Sequence, residues 1–226
     1  MLRITDARTG EPTDAVPARR SLTRVMAHVS RGDTSALRVL LVADLLARAL
    51  ELGGTPVVTV AEPPPELRER ADELGIRRAE GGTPGPGPVL HVLAPGEPAP
   101  DGIRVEAAPV TGTGDTSLLR MALLARPRRE PLDLDSGCLD EARDTLGRWR
   151  RAVATWATQP SKPVPEEVRQ ELRAAWEDDL DVPAVLEVLR RVELADDMPD
   201  GARFETYAYA DRLLGLELTR EIGTVL

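Results

Sequence analysis

The side chains able to do chemistry are few in this chain, and they stand far apart. His28 and His91 have no second histidine or cysteine at close spacing, and each falls in a segment with the composition of a strand, where an imidazole is ordinarily a packed core group. Cys138 is the sole cysteine, so neither an intramolecular disulfide nor the paired thiolates of a structural zinc site can form. Ser35 and Ser117 have no histidine nearby in sequence, which leaves a serine nucleophile without its base. Glu177, Asp178, Asp179 and Asp181 gather acid. They lack the alternating spacing and glycine of a calcium loop, and Asp181 ahead of Val182-Pro183 reads as a helix N-cap.

Two further groupings invite an anion. In TGTGDTS, Gly112, Gly114 and Asp115 open a helix whose free amides could face a phosphate, but the motif has no lysine and Asp115 is itself a natural cap. Arg126, Arg128 and Arg129 form one basic spot, and Arg148, Arg150 and Arg151 a second. They read either as a local anionic site or as a solvated turn and helix surface, and the acidic total favours the second.

The elements that would position such groups are clearer. Leu22 to Ser30 has the apolar bias of a strand, and a helix from near Thr34 is apolar on most of its circumference, with Asp44, Arg48 and Glu51 on one narrow polar stripe. Gly53-Gly54 end it, and Thr55 to Val60 is a β-branched run suited to a buried parallel strand. This is a βαβ unit, the common scaffold of a nucleotide site. A short helix over Glu66–Gly75, a Gly/Pro loop over Glu80–Pro88, and strands over Val89–Leu93 and Gly102–Val110 follow. From Ser117 onward helices prevail: Ser117–Ala125, Leu139–Thr158, Pro165–Asp178, Pro183–Leu194 and Phe204–Leu216. Trp149 and Trp156, seven apart, share a helix face and predict burial. No internal repeat is evident.

The fold class expected is α/β: a reduced Rossmann-like parallel-sheet domain over residues 1–114, followed by an α-helical bundle over 115–226. With 226 residues, 42% of them apolar, either part can bury a core. Acidic residues outnumber basic ones 38 to 29, a net charge of −9, and the excess is −2 up to residue 110 and −7 beyond it. That balance argues against a broad nucleic-acid surface, tRNA included. All but one of the basic residues are arginine, Lys162 being the exception, a usage that fits a GC-rich genome. No apolar run is long enough to span a bilayer, and the polar N-terminus with a single cysteine predicts a cytoplasmic protein with no membrane partner.

Four stretches, in order, resemble the cysteinyl-tRNA synthetase family of class I aminoacyl-tRNA synthetases. LRITDARTGEPTD (Leu2–Asp14) resembles the family's opening, and ALRVLLVADLLARALELGGTPVVTV the segment following its HIGH signature. Asp115–Trp149 resembles the segment after the KMSKS loop, and WEDDLDVPAVLEVL (Trp176–Leu189) the acidic turn and helix of the bundle. Carried over without gaps, HIGH lands on Asp33-Thr34-Ser35-Ala36, and the region preceding Asp115 offers Arg104 in place of two lysines. The zinc ligands that select cysteine in that family have no counterpart, and the inserted acceptor-end region and anticodon-reading extension are expected to be missing.

The resemblance therefore implies a truncated, catalytically inactive paralogue with no catalytic residues and no metal site. It would have a binding or regulatory role toward a protein partner or an adenine-containing ligand such as ATP or AMP. Asp33, Thr34, Ser35 and Arg104 are the candidate remnant of the nucleotide site. Two alternatives stay open: an ATP-dependent, aminoacyl-adenylate-forming ligase with altered residues, as in amide-forming relatives, and a scaffold subunit of another enzyme. Oligomeric state is left open.

Overall fold

Alternation of short β-branched runs with helices produces a four-stranded parallel sheet in the computed structural model, which describes residues 1–16, 22–83 and 85–223. A hairpin comes first, β1 (Arg3–Thr5) against β2 (Pro12–Asp14), closed by the turn at Asp6–Gly10. Neither strand is marked by apolar alternation in the sequence. Next come β3 (Thr23–Ala27), α1 (Thr34–Leu52), β4 (Val57–Val60), α2 (Pro65–Glu73), β5 (Val89–Leu93) and β6 (Ile103–Glu106). The sheet order is β4-β3-β5-β6, all parallel, so the chain steps outward from β3 and then crosses back to its other side. The expected reduced Rossmann-like α/β arrangement is present.

The run Gly102–Val110 is not one strand. It divides at Ala107-Ala108-Pro109 into β6 and a short β7 (Val110–Thr111), which pairs in parallel with β8 (Leu132–Asp133). Between them lies α3 (Thr116–Leu124), and beyond them α4 (Ser136–Trp156), α5 (Glu166–Glu177), α6 (Val182–Leu194) and α7 (Asp200–Leu214). Strand β3 is shorter than its apolar run suggests, ending at Ala27 and leaving His28 just past its carboxyl end. Pro84, in the Gly/Pro loop, is outside the described residues.

Helix α1 is the centre of the molecule. Fifteen of its nineteen residues are buried, Asp44 and Arg38 among them, because the sheet lies on one side and α2 and α7 on others. One hydrophobic cluster runs without interruption from Val25 and Val92 in the sheet, through Leu37 and Leu46 of α1, to Leu119, Trp149, Val185 and Leu213 in the helices. Trp149 and Trp156 do share a face, and both meet Tyr207 of α7 edge-on, with ring centroids 5.5 and 5.1 Å away. Among the described residues no helix is long and apolar enough to cross a membrane.

Candidate functional site

The segment where the HIGH signature would fall opens α1, and its side chains bond to the fold itself. Asp33 is the N-cap: its carboxylate accepts from the Ala36 amide at 3.0 Å and pairs with Arg31 at 2.5 Å. Ser35 exchanges two hydrogen bonds with one residue of β7, donating from Oγ to the Val110 carbonyl at 3.1 Å and accepting from the Val110 amide at 2.9 Å. Thr34, only 4% exposed, donates to the Gly112 carbonyl at 3.3 Å. Arg70 of α2 reaches over to the Gly32 carbonyl at 3.0 Å. The mouth of α1 is thus latched to the 110–112 segment, and Gly112 makes the latch possible. It has φ +84°, and a Cβ there would stand 2.9 Å from the Leu134 carbonyl oxygen.

Behind that latch Arg38 is buried to 1% exposure, and among the described residues no carboxylate bonds to it. It donates to three carbonyls, those of Pro127 and Glu130 at 2.7 Å and that of Ala108 at 3.1 Å. Burial pushes its guanidinium down to about 10, with Glu130 pulling the other way.

Arg104 is not brought to this mouth by any hydrogen bond. It stands on β6 in register with His91 of β5, which in turn faces Met26 of β3, a row whose side chains alternate with the core-facing Val25, Leu90, Val92 and Val105. Its Nη2 donates to the Ala99 carbonyl at 2.7 Å, and its backbone amide to Asp6 Oδ1 at 3.2 Å. Of the four residues picked out by sequence, Asp33, Thr34 and Ser35 cluster, and Arg104 belongs to a separate row of the sheet.

That row holds a pairing the sequence does not announce. His28 Nε2 and His91 Nδ1 are 2.9 Å apart, so one ring donates and the other accepts. Burial pushes His28 down, opposed by Glu97; burial and then the neighbouring His28 push His91 down, with Arg104 and Arg8 adding to it against the pull of the Asp101 backbone on the ring. Only parallel register could have revealed it, since nothing local links residues 28 and 91.

The basic and acidic spots resolve differently from one another. Arg126 and Arg129 lie on an exposed turn, but Arg128 is buried and grips Glu106 and Asp179. Asp179 is the hub of the acidic turn: its amide donates to the Arg3 carbonyl at 3.0 Å, and its Oδ1 accepts from the Thr5 amide at 2.7 Å. It and Leu180 hold left-handed backbone, φ 55° and 56°, which non-glycine residues adopt at a cost that these bonds offset. Asp181 caps α6 as read from sequence, accepting from the Ala184 amide at 3.0 Å. Among the described residues no three His, Cys, Asp or Glu side chains are grouped to hold a metal ion.

No protein-family model matches the chain. It is similar to proteins named L-cysteine:1D-myo-inositol 2-amino-2-deoxy-alpha-D-glucopyranoside ligase. It is 37% identical to the one from Streptomyces griseus subsp. griseus over 108 residues, 46% of this chain and 25% of that protein. It is 36% identical to the one from Segniliparus rotundus over 109 residues, with the same coverage. It is 36% identical to the one from Streptosporangium roseum over 108 residues, 46% of this chain and 26% of that protein. The chain thus matches about a quarter of the length of these relatives. The similarity supports a cysteine-ligase-like sequence; the names concern L-cysteine and an amino sugar, and tRNA does not appear in them.

Proposed function

We propose that this chain is a ligase-like protein that does not form an aminoacyl-adenylate at the mouth of α1 and that acts by binding, with another protein as its partner. One observation carries the reading: the residues standing where a phosphate-binding signature would lie are already engaged, Asp33 as a cap and Thr34 and Ser35 on the backbone of 110–112. A phosphate there would have to displace those bonds and approach the Asp33 carboxylate, an anion beside an anion. The βαβ scaffold is kept because α1 is the core of the protein, whatever happens at its mouth. The reading extends to an absence of aminoacylation, and to AMP or ATP as weak ligands at most.

A second reading is favoured by the relatives' names: an ATP-dependent ligase that activates L-cysteine with altered residues. Pyrophosphate release separates the two. Purified protein is incubated with ATP and L-cysteine, with and without the amino sugar in the relatives' name, while its melting temperature is followed with ATP, AMP and a non-hydrolysable cysteinyl-adenylate analogue. The binding reading expects no cysteine-dependent pyrophosphate and no rise in melting temperature with the analogue. Cysteine-dependent release would replace it with the ligase.

A further inference from the structure

Away from the mouth of α1, the first turn of α3, the middle of α4 and residues 215–220 enclose a depression of about 420 Å³. It opens into a shallower lobe that shares Gly75, Gly215 and Arg220 in its wall and adds Arg48 and Asp211. A volume of this order suits a small molecule. Three guanidinium groups line the deeper part, those of Arg120, Arg150 and Arg220, together with the carboxylates of Glu73, Asp115 and Glu217.

Most of these charges are committed. Arg120 donates to the carbonyls of Leu214 at 2.6 Å and Leu74 at 3.0 Å and to Asp44 at 3.1 Å. Asp115 accepts from both the amide and the hydroxyl of Ser117 at 2.9 Å. Arg220 and Glu217 stand 3.6 Å apart on side chains that are 66% and 64% exposed, a pair too wet and too long to hold either firmly. Arg150 differs. Its Nη2 is anchored to the Leu216 carbonyl at 2.7 Å, yet its Nε is buried without a hydrogen-bond partner among the described residues.

A buried donor left unmade carries a desolvation cost that the fold must absorb. Burial pushes the Arg150 guanidinium down, and the like charge of Arg220 pushes it further, against the pull of Glu217, Glu221 and Asp211. Two guanidinium groups that line one cavity and repel each other, one of them anchored through a single nitrogen, are complementary to an oxygen-bearing anion, which would pair with both in charge-assisted bonds and screen the repulsion.

We propose that this depression binds a small oxyanion, a phosphate or carboxylate group, between Arg150 and Arg220. The net charge of −9 makes an extended polyanion a poor match, so the ligand is a small molecule and not a nucleic acid. The site is independent of the mouth of α1 and stands whether or not the protein activates an amino acid.

The test is an NMR titration of the full chain with inorganic phosphate and, separately, with acetate, following the backbone amides of Gly75, Ser117 and Gly215. Saturable shifts at these amides are expected with at least one anion, and which anion saturates tells a phosphate site from a carboxylate site. Binding should weaken about tenfold in Arg150→Ala and about threefold in Arg220→Ala. Because Arg150 also ties α4 to Leu216, the exposed Arg220→Ala variant carries the test if the first does not fold. Absence of saturable shifts with both anions, or binding unchanged in the folded variants, overturns the proposal.

Discussion

Although no whole element of the chain is repeated, the tetrapeptide Gly-Asp-Thr-Ser occurs twice, at Gly32–Ser35 and Gly114–Ser117. Both copies start a helix, and both are followed three residues on by an arginine buried to a few per cent, Arg38 and Arg120. In each the aspartate caps, Asp33 on the Ala36 amide and Asp115 on the Ser117 amide. There the likeness ends. Ser35 and Thr34 reach across to β7 and the turn after it, whereas the Ser117 hydroxyl turns back on its own cap and faces the depression. Arg38 rests on three carbonyls with no carboxylate, whereas Arg120 completes a buried cluster in which Asp44 also receives Arg48 and Arg77, each at 2.9 Å. The same four residues cap a helix in either place, and the neighbouring segment decides whether the opening beyond it is latched or left accessible.

The sharpest way to test that contrast is at the two arginines. Asp44→Ala would leave Arg120 buried beside Arg48 with only the weaker pull of Asp211 to offset its charge, and should cost about 3–5 kcal/mol in urea denaturation. Glu130→Gln, near Arg38, should change stability by no more than about 0.5 kcal/mol, because Arg38 leans on backbone carbonyls. A large loss in Glu130→Gln would erase the distinction.

The serines come next. Ser35→Ala removes two hydrogen bonds and strands the Val110 amide, so a loss of about 1–3 kcal/mol is expected, against a change within about 0.5 kcal/mol for Ser117→Ala. Equal losses, measured by thermal or chemical melts, would mean that the mouth of α1 is no more latched than that of α3.

The smallest effect belongs to the sheet behind α1. His28 and His91 are both held below the ordinary value of 6.5, so the unfolded chain takes up protons first as pH falls. Their contribution is complete above that value and is lost as pH falls from it through the folded-state values. Stability should therefore decline from pH 7.5 toward pH 5, and His28→Asn should flatten that slope. A slope unchanged in the variant would assign it to other groups.

Local patterning made much of the fold legible. The apolar circumference of Thr34–Leu52, the β-branched Val57–Val60 and Val89–Leu93, and the five later helices all state their element type within a few residues, because periodicity and caps are properties of neighbours in sequence. The hairpin Arg3–Asp14 and the pair Val110–Thr111 with Leu132–Asp133 gave no such signal; strands of two or three residues are held by their partners and by Asp179 and Ser35, not by composition.

At the candidate site the division is similar. Sequence established that a conventional signature is missing between Asp33 and Ala36, that lysine is nearly absent, and that Asp115 and Asp181 cap helices. It could not show that Ser35 is tied to Val110, that His28 meets His91, that Arg104 stands in another row, or that Arg128 is buried while Arg150 Nε finds no partner among the described residues. Capping acts across three residues, so identity and order determine it. Whether a buried donor finds an acceptor depends on which distant backbone carbonyl packing brings within 3 Å, and only the tertiary structure decides that.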